Sequence, residues 1–426
     1  MRRFLAIVFI CFAIVLNAEL IITNSLSFGG NGDDVGNDII VLADGSIVVA
    51  GYTSSTEGLF YSKNGQEDFL IAKFDDDLNL LWWKAYGGSR RDIAESIVQS
   101  KDGGFVVVGL TESSDGDVST SDRLGDFWVI CLSPEGDLLW EETFGGSSQD
   151  HAYDVIVSRE ESIIVAGYTR SNDGDVIGHV WGEDFWIIEL SFTGELIRQW
   201  TIDGGNNNED LARKLIQLET GEIYVTGYSA FKDVGISCNY VNVQAAIACI
   251  DNEGNLSWYL DYGDRFHESA YDLIFDQGNL MIVGEMDAGT SMFSSGLGGK
   301  DFWILSIDLD GEELWSKEYG GTLTDTARSI NRIGENRFAV AGYTTSRDIN
   351  VKGSRGMNDG WIIVVDSAGK LLEARTAGGS GDDLIFASAL ESGQAYFAGY
   401  TTSTDGDLEI NAGGRDLWIL SVSISK

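Results

Sequence analysis

The sequence predicts an all-β protein, a seven-bladed β-propeller with four antiparallel strands in each blade. A Gly-Gly or Gly-Asp pair recurs at steps of 57 to 59 residues, beginning at Gly29, Gly87, Gly145, Gly204, Gly263, Gly320 and Gly378. Each repeat contains four short apolar runs separated by turn residues, a pattern typical of strands joined by hairpins. Seven such units indicate radial repetition around an axis, which avoids long exposed sheet edges.

The second repeat shows the four predicted strands in order. They are the runs Ile93 to Gln99, Phe105 to Thr111, Phe127 to Leu132 and Leu138 to Phe144. The middle runs, such as Phe-Val-Val-Val, are apolar on consecutive residues, which indicates burial on both faces. Blades stacked face to face around an axis supply that burial.

The two ends of the chain predict how the ring closes. One strand of the fourth type, Leu20 to Phe28, precedes the first repeat, and the last repeat ends in a strand of the third type, Leu417 to Ile424. We therefore expect the N-terminal strand to complete the last blade, within a single propeller domain over residues 19–426.

Residues 1–18 have the composition of a cleaved secretory signal peptide. Two arginines precede an apolar stretch from Phe4 to Leu16, and the small residue Ala18 offers a cleavage site. The apolar stretch is shorter than the roughly 20 residues that a membrane-spanning helix needs. The expected location is therefore extracytoplasmic, in the periplasm or at the cell surface, without membrane insertion after cleavage.

Charge and cysteine content exclude several classes of protein. Without the leader the chain has 26 basic and 67 acidic residues, a net charge near −41, which repels nucleic acids and anionic lipid headgroups. The three cysteines that remain are too few, and odd in number, for a disulfide framework. Cys131 and Cys249 are expected to be buried in strands, and Cys238 lies in a loop.

The repeated motifs resemble a known group of proteins. They are Asp-Phe-Trp-Val-Ile (126–130), Gly-Asp-Leu-Leu-Trp (136–140), Phe-Gly-Gly (144–146) and Ile-Ile-Val-Ala-Gly-Tyr-Thr (163–169). This pattern resembles the β-propeller repeats of bacterial secreted and surface proteins, over all seven units. The resemblance implies an extracytoplasmic propeller and supplies no catalytic motif to carry over. Blade four departs from it, because Gln244-Ala245-Ala246 stands where Asp-Phe-Trp is expected.

A binding site for one asymmetric ligand needs residues that differ between blades, so we assign repeated residues to the frame first. Nine tryptophans at two repeated strand positions are therefore expected to pack between blades. An acid that follows each glycine pair is expected to accept backbone N–H bonds in the turn. The alternative is an acidic ring at one mouth of the channel, able to hold a cation. These acids are Asp34, Asp92, Asp150, Asp210, Glu268, Asp325 and Asp383.

The loop from the second to the third strand contains Asp-Gly-Asp in three repeats. Alternating carboxylates around a glycine turn are a partial ligand set for Ca²⁺, although the full twelve-residue calcium loop is absent. The calcium hypothesis concerns Asp115, Asp117, Asp173, Asp175, Asp405 and Asp407.

The same loops carry unrepeated aromatic and cationic residues. Loops on a rigid frame usually hold binding sites, and exposed aromatic side chains suit a glycan or protein partner. The alternative is that these side chains fold back onto the blade edges. The predicted ligand-binding residues are Phe60, Tyr61, Arg123, His179, Trp181, Tyr240, Phe293 and Arg355.

The sequence contains no recognisable catalytic constellation. The three histidines lie in different repeats without metal-ligand spacing, and among 67 acids a pair suited to glycoside hydrolysis arises by chance. The predicted function is a secreted, non-catalytic binding or scaffold propeller for an extracellular or envelope protein or polysaccharide, with Ca²⁺ as an optional stabiliser of its loops. The alternatives are a polysaccharide hydrolase or lyase that uses channel-mouth carboxylates, and a purely structural envelope component.

Overall fold

The computed structural model of the chain consists of seven four-stranded antiparallel sheets, which confirms the predicted seven-bladed propeller. It describes residues 20–62, 65–119, 121, 124–178, 182–204, 209–232, 241–263, 267–287, 298–391, 393–408 and 410–424. The predicted signal peptide, residues 1–18, and Cys238 lie outside the described residues.

The strands follow one another along the chain with no helix between them in the described ranges. They are β1 (Leu20–Phe28), β2 (Asp34–Val41), β3 (Ile47–Thr53), β4 (Asp68–Phe74), β5 (Leu80–Tyr86), β6 (Asp92–Gln99), β7 (Phe105–Thr111), β8 (Asp126–Leu132), β9 (Leu138–Phe144), β10 (Asp150–Val157), β11 (Ile163–Thr169), β12 (Asp184–Leu190), β13 (Leu196–Ile202), β14 (Glu209–Gln217), β15 (Ile223–Lys232), β16 (Val241–Ile250), β17 (Leu256–Tyr262), β18 (Glu268–Asp276), β19 (Asn279–Asp287), β20 (Lys300–Asp308), β21 (Glu313–Tyr319), β22 (Asp325–Gly334), β23 (Arg337–Thr344), β24 (Asp359–Asp366), β25 (Leu371–Ala377), β26 (Asp383–Glu391), β27 (Gln394–Thr401) and β28 (Asp416–Ile424).

Blades one to six are formed by consecutive groups of four strands, from β2–β5 to β22–β25. Blade seven has the spatial order β1-β28-β27-β26, so its outermost strand comes from the other end of the chain. Leu20 lies opposite Ile424 and Phe28 opposite Leu417. The predicted closure of the ring by the N-terminal strand is therefore confirmed.

The innermost strand of every blade is interrupted by a bulge near its start. In β6 the register shifts between Ala94 and Ser96, and each of the other inner strands shifts at the matching place. A glycine in the second strand of the blade permits this geometry, because a Cβ on Gly109 would lie 1.9 Å from the Ile93 carbonyl oxygen. The residues at and after the bulges line the central channel. A bulge here re-aims a side chain, as bulges next to functional sites commonly do.

Large aromatic side chains fill the spaces between blades. The third-strand tryptophans are almost fully buried, and the ring of Trp128 packs 4.5 Å from Phe69 of the preceding blade. A fourth-strand tryptophan reaches the next blade, where Trp140 Nε1 donates to the Phe192 carbonyl over 3.0 Å. Cys131 and Cys249 are buried free thiols, as predicted. The part of the chain that the structure describes contains no helix long and apolar enough to cross a lipid bilayer.

Candidate functional site

The face of the propeller that carries the glycine turns and the second-to-third-strand loops is called the upper face here. The glycine turns and these loops lie on the same face, as one hydrogen bond shows: Asp117 in such a loop accepts the N–H of Gly87 over 3.2 Å. The described residues that the sequence analysis singled out as candidates lie on this face.

The seven repeated acids are structural parts of the turns. Asp92 accepts the Gly88 N–H and the Ser113 hydroxyl, both over 2.8 Å, and thereby fastens the glycine turn to the end of β7. Matching bonds to glycine N–H groups exist in five further blades, at Asp34, Asp150, Asp210, Asp325 and Asp383. All seven acids are 0 % exposed, so their carboxylates do not form an accessible ring at the channel mouth.

A second aspartate faces six of these seven acids across the glycine turn, and the sequence analysis did not predict this pairing. A Cβ on Gly87 would lie 2.6 Å from Asp68 Oδ1 and 2.7 Å from Asp92 Oδ2, so the two carboxylates meet where blades one and two join. Burial raises the pKa of Asp92 to about 6, and the neighbouring Asp68 charge adds to the rise. We call these the junction pairs: Asp68/Asp92, Asp126/Asp150, Asp301/Asp325, Asp359/Asp383 and Asp416/Asp34.

The junction between blades three and four contains a third carboxylate. Asp203, an extra residue before Gly204, joins Asp184 and Asp210, and one ligand oxygen from each lies within 4.8 Å of the others. Asp203 is exposed, and burial raises the pKa of Asp210 to about 7, with the Asp184 charge adding to it. These three side chains could hold a metal ion. At the next junction Gln244 and Glu268 occupy the two equivalent positions.

The Asp-Gly-Asp carboxylates also serve the glycine turns. Asp115 Oδ1 accepts the Ser89 N–H over 2.7 Å, next to the bond from Gly87 to Asp117. The same two bonds recur at Asp173 and Asp175 in blade three and at Asp405 and Asp407 in blade seven. None of these six residues belongs to the metal-compatible cluster in the described chain.

The described loop residues that were predicted to bind a ligand fold back onto the frame. Phe60 is fully buried against Trp83, and Tyr61 packs its edge on the same indole at 5.0 Å while remaining 47 % exposed. Arg355 donates to the Gly378 carbonyl over 3.1 Å and pairs with Asp407, which links two neighbouring blades. Arg123, His179, Trp181, Tyr240 and Phe293 lie outside the described residues.

The channel contains the unrepeated residues that the sequence reasoning missed. The seven inner-strand residues at the bulges all line it and comprise five residue types: Asn37, Glu95, Tyr153, Arg213, Tyr271, Arg328 and Phe386. We call them the bulge ring. In the first strand of each blade this residue follows a small one, except in blade seven, where it follows Ile385. A variable position next to a repeated small residue was therefore the signal in the sequence that could have indicated the bulge ring. The channel cavity measures about 410 Å³, and an opening of about 260 Å³ above it is also lined by Tyr52, Tyr400 and Arg415.

Below the bulge ring lies a layer of charged side chains, in which Asp154 and Asp272 are buried and Asp38 and Lys214 are partly buried. Lys214 donates to Asp154 over 2.8 Å, and the Ser96 hydroxyl bridges Asp154 and Asp38, both over 2.9 Å. Burial opposes the charge on Lys214, but Asp154, Asp38 and Asp272 together raise its pKa. Burial also raises the pKa of Asp272 to about 6. The carboxylates of this layer are engaged with Lys214 and with backbone N–H groups of adjacent blades.

The chain is similar in structure to several solved propellers. One is the hydrazine synthase of Kuenenia stuttgartiensis, with a TM-score of 0.50 and 11 % identity, covering 85 % of this chain and 92 % of that chain. Another is the WD40 β-propeller domain of Doa1, at 0.54 and 11 %, covering 95 % and 97 %. A third is the Pan2 WD40 domain of Neurospora crassa, at 0.52 and 10 %, covering 96 % of both chains. At such identities the similarity shows the fold alone.

No protein-family model matches the sequence, and no curated protein matches it either.

Proposed function

We propose that this chain is an extracytoplasmic, non-catalytic binding propeller whose ligand occupies the upper end of the central channel. The observation that carries this proposal is the bulge ring, because it gathers seven side chains of five different types around one concave cavity. Concave sites with a few converging polar groups are where small ligands usually bind. The leader-like composition of residues 1–18 supports the location.

The described candidate residues of the upper face make contacts within the propeller frame. This supports a binding site in the channel rather than on the upper-face loops. Phe60 is buried, Arg355 ties two loops together, and the repeated acids hold turns. A ligand that approaches this face meets the opening above the channel, where Tyr52, Tyr400 and Arg415 surround the entrance.

The hydrogen bonds and ion pairs of the channel carboxylates support a non-catalytic role. A glycoside hydrolase needs one carboxyl group as acid and a second as base or nucleophile, both facing the substrate. Here Glu95 is bonded to His151 over 3.0 Å, and Asp154 accepts bonds from Lys214, Ser96 and the Leu215 N–H. Groups held in this way are suited to fixing the shape of a cavity.

We expect Phe386→Ala to weaken ligand binding about tenfold or more, because it removes a large side chain that lines the channel and its upper opening. The measurement is calorimetric titration against a panel of neutral and acidic oligosaccharides, with chromatography of each mixture after prolonged incubation. Phe275→Ala is the matched control, since Phe275 is 44 % exposed on the inner strand β18 outside the bulge ring. If Phe386→Ala binds the ligand as tightly as the parent protein and the Phe275→Ala control, the channel site is refuted. Sustained release of product would refute a non-catalytic role.

We further propose that Ca²⁺ is the ion that Asp184, Asp203 and Asp210 hold, since a set of carboxylate oxygens suits a hard cation. Titration of the metal-stripped protein with CaCl₂ is expected to show saturable binding that Asp203→Asn weakens about tenfold or more. The exposed Asp76→Asn serves as control. Equal calcium binding by both variants and the parent protein would contradict this site.

A further inference from the structure

The bulge ring alternates aromatic and cationic side chains over five consecutive blades. Tyr153, Arg213, Tyr271, Arg328 and Phe386 follow one another from blade three to blade seven. The Arg213 guanidinium lies 3.9 Å from the ring centre of Tyr153 and 5.9 Å from that of Tyr271. The Arg328 guanidinium lies 4.4 Å from Tyr271 and 5.3 Å from Phe386.

This arrangement leaves N–H groups at the edges of the two guanidinium groups for a ligand, beside the one that Arg213 donates to the Tyr228 hydroxyl. A guanidinium that stacks on aromatic rings uses its flat faces, whereas its N–H donors point outward in the plane of the group. Arg213 Nε is buried and has no hydrogen-bond partner, and both arginines line the channel and its upper opening. A buried donor without an acceptor costs free energy, which an incoming acceptor would recover.

The charges around the ring favour an anion of low charge. Within the bulge ring one carboxylate, Glu95, stands against two guanidinium groups, so one positive charge is in excess there. Glu95 contacts His151 over 3.0 Å and also attracts Arg213, as does Glu183 outside the ring. A third guanidinium, Arg415, lies 4.7 Å from the ring centre of Tyr400 at the entrance and is paired with Asp33 over 3.9 Å. The layer below contains Asp38, Asp154 and Asp272 against the single charge of Lys214, which disfavours a dianion by repulsion.

On this basis, and resting on the proposed function, we infer that the channel binds a carboxylate-bearing ligand, namely an acidic sugar residue, through the N–H edges of Arg213 and Arg328. Arginine matches the two oxygens of a carboxylate with two parallel N–H bonds. The opening of about 260 Å³ suits one small ring-sized group rather than a chain threaded through the propeller. A phosphate group would offer similar acceptors, but its second negative charge faces the aspartates below.

The test uses ligands that differ only in the carboxylate. Calorimetric titrations compare D-glucuronate with D-glucose, D-galacturonate with D-galactose, the corresponding trimers, and inorganic phosphate, all against the full chain. We expect the uronates to bind at least about tenfold more tightly than their neutral partners and than phosphate. Arg328→Gln is expected to weaken uronate binding about 100-fold, and Arg328→Lys, which keeps the charge but loses the two-pronged geometry, about tenfold.

Arg332→Gln provides the matched control, since Arg332 lies on the same strand but pairs with Asp276 away from the bulge ring. Equal melting temperatures of the variants establish that each has folded. Neutral sugars that bind as tightly as uronates, with a loss on Phe386→Ala but not on Arg328→Gln, would overturn the inference and leave the proposed function intact. Preference for phosphate over the uronates would overturn the ligand class, and no saturable binding of any probe up to about 10 mM would overturn both proposals.

Discussion

Removal of β1, residues 20–28, is expected to lower the melting temperature by about 10 °C or more. The deletion removes the outermost strand of blade seven, which pairs with β28 from Leu20 to Phe28 with one register shift between Ile22 and Asn24. It also uncovers part of the core that Leu20, 2 % exposed, shares with Trp418 and Leu420. Differential scanning calorimetry of the chain with and without these residues measures the effect.

A synthetic peptide with the sequence of residues 20–28 is expected to restore the transition when added in excess, because strand pairing of this kind can be supplied in trans. A scrambled peptide is the control. Within the intact chain, Leu20→Asp should destabilise strongly and Ile21→Thr should not, because Leu20 is buried and Ile21 is 47 % exposed. A melting temperature unaffected by the deletion would show that β1 does not close the ring.

Stability is expected to fall as the pH rises from about 4 to about 7, because the junction pairs bind protons more tightly in the folded chain. Burial raises the pKa of Asp92 to about 6 from an ordinary value of 3.8, and that of Asp416 to about 6 as well. Between the two values the unfolded chain has lost protons that the folded chain retains, so the free energy of unfolding decreases with pH. Above the raised pKa the free energy of unfolding stays at the lower level and no longer changes through these groups.

Asp68→Asn tests this directly, since it removes one charge of a junction pair and supplies an N–H₂ donor that can face Asp92. The chain itself places an amide, Gln244, and a carboxylate, Glu268, at the equivalent positions of another junction. The variant should be more stable than the parent by about 1 kcal/mol at pH 8 and nearly equal to it at pH 4.5, since burial, the larger cause of the raised pKa of Asp92, stays in both. Urea unfolding at both pH values, with the exposed Asp76→Asn as control, gives the comparison.

The same stabilisation at both pH values would contradict a contribution of the Asp68 charge to the raised pKa of Asp92. At the acid end another group acts in the opposite direction. Burial opposes ionisation of Glu285, but bonds from His267 and Lys300 hold the pKa of Glu285 at about 2. The stability that Glu285 contributes is present above its ordinary value of 4.5 and is lost as the pH falls towards 2. The protein should therefore be most stable in mild acid.

Repetition made the fold predictable from the sequence. Seven glycine pairs with nearly constant spacing fixed the number of blades, and consecutive apolar residues such as Phe105 to Val108 indicated strands buried on both faces. The unmatched strands at Leu20 and Leu417 indicated ring closure. Each of these signals is local or periodic, and each has one geometric solution in a ring of sheets.

The candidate site was harder to predict from the sequence than the fold, because it is assembled from residues about 58 positions apart. Arg213 and Arg328 belong to different blades and meet Tyr271 only through the bulge of each inner strand. No spacing along the chain reports that contact, and the residues appear as isolated exceptions within a repeated motif. The junction pairs were missed for a related reason: Asp68 and Asp92 are both repeated, but their proximity depends on how two blades join.

Closure of the ring by β1 and β28 also determines the order in which the protein can assemble. Blades one to six each use a continuous stretch of chain, so they can form one after another during synthesis. Blade seven needs the first described strand and the last one, so it cannot form before the final strand has left the ribosome. Until then the inner strand of blade one lacks its neighbour β26. Chains that terminate early should therefore expose this apolar surface and be cleared by proteases.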